Sequence, residues 1–215
     1  MKFDELKDSA FDPASLERSL AALEGELAKP PPRSWRADVA LLLAVSWGLA
    51  GAMTLVLFFT DPGTGALALR HLPALGLLLG TGGLAAFAAL SPPGRLPVAA
   101  ALVAAGLGLS GLVFLRALDT TAASTLPPWV CTLSHLGTDA IPLVIALLCL
   151  RRSAPHTPRA LLAGVAAGSC GALIGEVGCG QSWQHVLLFH GGAWALIALA
   201  SAVIARRLKR FSYAP

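Results

Sequence analysis

Long apolar runs separated by short polar breaks fill residues 37–205. They predict spans at about 37–60, 73–91, 97–117, 130–150, 160–178 and 186–205. Each is close to the roughly 20 residues that a helix needs to cross the hydrocarbon core. The breaks hold strong helix stoppers: Asp61-Pro62-Gly63, Pro92-Pro93-Gly94, Pro127-Pro128, and Pro155 with Pro158. A helix satisfies its backbone N–H and C=O groups internally, which lipid cannot do for it. The pattern therefore predicts an all-α membrane protein, a bundle of six transmembrane helices.

Residues 1–36 follow a different rule. Asp12-Pro13 reads as an N-cap with proline at the first helical position. Leu16, Leu20, Leu23 and Leu27 then recur at steps of four, three and four, which makes one apolar stripe. Pro30-Pro31-Pro32 ends this short amphipathic helix and gives a stiff spacer up to the first span. The expected organisation is an arm at 1–36, a bundle at 37–205 and a basic tail at 206–215.

Composition supports the membrane assignment: 55% of residues are hydrophobic and only 13% charged, about half the usual charged share. So few charges cannot cover a water-soluble surface, so apolar side chains must face lipid. Met1-Lys2-Phe3-Asp4-Glu5-Leu6-Lys7-Asp8 has neither the basic start nor the apolar h-region of a cleavable signal peptide, and none is expected.

Charge also sets orientation. Fourteen of the sixteen Lys and Arg residues fall on the side of the N-terminal arm, and only Arg70 and Arg116 on the other. Basic residues near span ends stay in the cytoplasm, which predicts both termini inside. Residues 1–28 of the arm hold three basic and seven acidic side chains. Helices that seek anionic lipid are basic. An acidic amphipathic helix suits a partner groove with a basic rim. A second copy of the chain, or a passive solvated helix, are the alternatives.

The candidate chemistry gathers at the outer end. Cys131, His135 and Asp139 recur every four residues on one face of span four. Glu176 and Cys179 close span five, and His185 and His190 open span six. An acid within a span, such as Asp139, either pairs inside the bundle or marks function. The four cysteines, at 131, 149, 170 and 179, have no C-x-x-C spacing, so no zinc ribbon or thioredoxin-like motif is present. Cys149 and Cys170 read as small apolar residues. Cys131 and Cys179 fall at the outer surface, where three readings stay open: a disulfide in an oxidising compartment, a soft-metal site completed by His135, His185 or His190, or two unrelated thiols. Glycine rows at 76, 80 and 83 in span two, and at 164, 168, 171 and 175 in span five, allow close helix approach. They serve either packing within the bundle or a homodimer face.

The sequence resembles the bacterial six-helix membrane anti-sigma factors, the NrsF-like and CarR-like proteins, over nearly its whole length. The resemblance is carried by Pro128-Trp129-Val130-Cys131 with Pro142 in span four, by the glycine-rich span five, and by Cys179. His185-Val186-Leu187-Leu188-Phe189-His190-Gly191 and Arg206-Arg207 complete it. It implies a regulator in the bacterial inner membrane, not an enzyme. Such a regulator holds an extracytoplasmic-function sigma factor through the arm, here Leu16, Leu20, Leu23 and Leu27, and binds no nucleic acid itself. It releases that factor when the outer part senses stress, in which Cys131 and Cys179 are implicated. The zinc-type anti-sigma motif H-x-x-x-C-x-x-C is absent from residues 1–36. The rival class is a haem-binding or redox-active membrane protein, with His135 and His190 as axial ligands, or a transporter. No second histidine pair lies near the inner side, and no repeat of broken helices is evident.

Overall fold

The computed structural model describes residues 17, 34–60, 69–92, 95, 97–118, 127–151 and 156–212. The chain divides into two units, Met1–Arg33 and Ser34–Pro215. The predicted leucine stripe, Leu16, Leu20, Leu23 and Leu27, lies outside the described residues.

The second unit is helical throughout its described elements. In chain order these are α1 (Trp35–Thr60), α2 (Leu72–Leu90), α3 (Val98–Ala117), α4 (Pro128–Arg151) and α5 (Thr157–Gly178). A short α6 (Trp183–His185), a π-helical segment (Val186–Gly191) and α7 (Gly192–Ser212) complete the order. The last three run on as one span, so among the described residues six helices are long and apolar enough to cross a membrane. The predicted spans match them to within a few residues. Prolines mark the starts, as a missing N–H costs nothing in a first turn: Pro73 opens α2 and Pro158 opens α5.

Helix α5 is the axis of the bundle. It touches α1, α2, α3, α4, the π segment and α7, and most of its length is buried. Small residues make this possible. Ala160, Ala163, Ala166, Ala167, Ser169, Cys170 and Ala172 are all enclosed. The glycine row lies against the neighbours on α4, the π segment and α7. A methyl group on Gly164 would come within 2.5 Å of the Ala198 backbone. One on Gly168 would strike the Trp194 indole, one on Gly171 the His135 ring, and one on Gly175 the His190 ring. The row in span five therefore packs inside the bundle. In span two, Gly76 and Gly80 are exposed and a methyl group on either would meet nothing within 4 Å.

The outward surface is apolar, as lipid requires. Leu55, Phe59, Val103, Leu107, Ile141, Val144, Leu196 and Val203 are exposed on it. At the end of the bundle where α1 begins, the Trp35 ring meets Phe87 edge-on at 5.3 Å. The Arg36 and Arg95 guanidinium groups lie 5.6 and 5.4 Å from the Trp35 ring centre. Such cation–π contacts suit a membrane interface, where the ring is half in lipid and the charges reach water.

Candidate functional site

The opposite end of the bundle brings together Cys131, Cys179, His185 and His190. One ligating atom from each, a sulfur or a ring nitrogen, lies within 4.8 Å of all the others. The four come from separate pieces of chain. Cys131 stands in the first turn of α4, Cys179 follows the end of α5, His185 is in α6 and His190 is in the π segment. Three of the four are buried, and Cys131 is partly exposed. None of the four cysteines of the chain forms a disulfide.

The π segment is what aligns the two histidines. In a regular α-helix, residues five apart point about 140° away from each other. A π-helix repeats i→i+5, so such residues stand nearly one above the other. The His185 and His190 rings accordingly meet at 5.4 Å between centres. The Thr132 hydroxyl of α4 donates to the Phe189 carbonyl of this segment at 3.3 Å, which ties it to the helix that carries Cys131.

Nε2 of His185 and Nε2 of His190 are both buried with no hydrogen-bond partner. Buried imidazole nitrogens are normally bonded, because an unmade bond costs about 1–3 kcal/mol. Burial also pushes the Cys179 thiol up to about 12, with the neighbouring Cys131 sulfur acting in the same direction.

His135 stands one turn deeper and serves another purpose. Its Nε2 lies 3.1 Å from both the Gly168 carbonyl and the Asp139 carboxylate. The other Asp139 oxygen accepts the Gly171 N–H at 2.7 Å. The predicted set of five thus divides. Four residues converge, whereas His135 is committed to α5, with its ring 5.8 Å from that of His190. His135 holds the helices and backs His190.

Beside the site lies a second buried group, in which Glu176, already a candidate from the sequence, is joined by Arg116 and by His71, whose part the sequence did not reveal. Arg116, at the end of α3, is only 2% exposed. Its Nε lies 3.1 Å from the Glu176 carboxylate, and its Nη2 donates to the Glu176 carbonyl at 3.0 Å and the Cys179 carbonyl at 2.8 Å. His71, at the start of α2, places Nδ1 2.9 Å from the Glu176 carbonyl and 3.1 Å from its carboxylate. Its Nε2 faces Arg116 at 3.4 Å. A proton on Nδ1 satisfies the whole set, since Nε2 then accepts from the guanidinium. The network joins α2, α3 and α5 and clamps the backbone that carries Cys179. A lone arginine closing an apolar span was the signal available, since such a charge needs a partner.

Comparison with known proteins places this arrangement in context. No family model matches the chain, and no solved structure does. A curated relative, the carotenogenesis protein CarR of Myxococcus xanthus, is 44% identical over 211 residues, which cover 96% of this chain and 93% of that protein.

Proposed function

This chain belongs to the CarR-like family, and from that footing we propose that it is a membrane-bound anti-sigma factor. Residues 1–36 hold an extracytoplasmic-function sigma factor at the cytoplasmic face of the bacterial inner membrane. The bundle releases it when the end bearing Cys131 and Cys179, facing outward, senses a stress signal. The protein acts by binding, as a regulator of transcription, and carries out no chemical turnover. The observation that carries this reading is the match to CarR along almost the full length of both chains, arm included. Six spans also support it, because an even number returns both ends to one side. The fourteen-to-two division of basic residues supports the cytoplasm as that side.

Leu16, Leu20, Leu23 and Leu27 are the contact residues in this reading. Burying one leucine is worth about 1.5–3 kcal/mol. In the full chain, Leu20→Asp or Leu23→Asp should therefore weaken capture of its sigma factor at least tenfold, and switch on that factor's promoter without a stimulus. The measurements are co-purification from detergent and a promoter reporter. Full repression by both variants overturns the assignment of the arm.

A further inference from the structure

We propose that Cys131, Cys179, His185 and His190 form a closed, four-coordinate site for a soft or borderline d10 divalent cation, with zinc as the reference ion. The site goes beyond the anti-sigma reading and stands without it, because nothing in its argument involves a sigma factor.

The donor set has the right chemistry. Two sulfurs and two imidazoles suit zinc and similar ions, whereas magnesium, calcium and manganese prefer oxygen. The geometry needs little change. Zn–S bonds of about 2.3 Å and Zn–N bonds of about 2.0–2.1 Å, set tetrahedrally, leave ligand atoms roughly 3.3–3.8 Å apart. The four atoms here already lie within 4.8 Å of one another. Closure therefore requires shifts of about an ångström, within reach of side-chain rotation.

Two independent features point at a ligand. Both histidines are more than nine-tenths buried, yet each keeps an Nε2 with no hydrogen-bond partner. The helix is also locally re-wound so that residues five apart converge, and π segments of this kind occur often at functional sites. A cation would use both. On binding, the two thiols release their protons to water, so two thiolates, two neutral imidazoles and M²⁺ sum to zero charge. A neutral complex is the form a low-dielectric pocket accepts most easily. Cys131, partly exposed, gives the ion its way in.

The surroundings are built to hold the ligands. Arg116 fixes the Cys179 carbonyl at 2.8 Å, and Thr132 ties the π segment to α4. His135 packs behind His190 and is a positioning residue, not a ligand. Such outer partners orient ligands and tune affinity. Because the four ligands sit on α4, beyond α5 and at the head of the sixth span, an ion would bind three spans into one unit.

The test uses the full-length protein, purified in detergent with a thiol reductant. Elemental analysis of protein from zinc-supplemented cells should find about one zinc per chain. After chelation, Co²⁺ titration should give the visible bands of tetrahedral cobalt with sulfur-to-cobalt charge transfer, saturating at one equivalent. Cys131→Ser and His185→Gln should each abolish the charge-transfer or tetrahedral signature. Cys149→Ser should retain both, and thermal unfolding without metal confirms that each variant is folded. The proposal is overturned if reduced wild-type protein takes up no Co²⁺. Octahedral cobalt spectra without charge transfer, or unchanged binding in the Cys131→Ser, His185→Gln double variant, would overturn it equally.

Discussion

Single side chains at the cysteine end decide the most. Arg116 and Glu176 are both nearly inaccessible, so each depends on the other for compensation of its charge. Arg116→Gln leaves the carboxylate short of its guanidinium and should destabilise the protein by about 3–5 kcal/mol, measured by denaturant unfolding in detergent. The Arg116→Gln, Glu176→Gln pair should lose less than the sum of the two single changes, which is the signature of direct coupling. The cysteines are tested through signalling. A Cys131→Ser, Cys179→Ser double variant should reach the membrane and hold its sigma factor, yet lose or lock the response in a promoter assay. If it represses and responds as the parent does, sensing lies elsewhere. Position alone distinguished these two thiols from Cys149 and Cys170 in the sequence. Their convergence with His185 and His190 was legible as residue types. The separation of His135 was not, because it depends on which carbonyl of α5 its ring meets.

At the scale of elements, glycine rows with the same sequence signature have different fates. Gly171→Ala would drive a methyl group into the His135 ring, whereas at Gly80 a methyl group meets nothing. Overpacking of this kind costs about 1–3 kcal/mol. Gly171→Ala should lower the unfolding midpoint in detergent, and Gly80→Ala should leave it within the scatter of a surface change, about 0.5 kcal/mol. Equal effects would mean that α5 is not packed as described. The six spans could be read to within a few residues from apolar run length, since lipid thickness sets that length. Which helix is central could not, because every span is apolar and only the density of small residues on α5 hinted at it. The π segment was invisible too: Val186–Gly191 reads as ordinary helix when the sequence is scanned with a period of 3.6.

The whole molecule has two ends of opposite character. At one, Arg36 and Arg95 gather on Trp35; at the other, Arg116 and Glu176 are enclosed. Reporter fusions should place a probe after Pro215 in the cytoplasm and one within residues 120–128 in the periplasm. The reverse pattern would put the arm on the wrong side for any sigma factor and defeat the proposed function. The coupling that the proposed function requires would have a direct carrier, since α5 runs from one end to the other and touches every other span. A bias of about 1–3 kcal/mol suffices in typical allosteric systems.

That central position also sets a timetable for biogenesis. The axis of the bundle is the fifth span made, so the first four must enter the membrane around a place not yet filled. Its groove-filling glycines, which suit it so well to protein neighbours, give it little side-chain area with which to hold itself in lipid alone. The sixth span then closes the assembly when Trp194 seats on Gly168 and its indole N–H reaches the Val165 carbonyl at 2.7 Å. A chain cut short after α4 therefore lacks the helix around which its own spans are shaped, and presents a quality-control protease with an open, unfinished bundle.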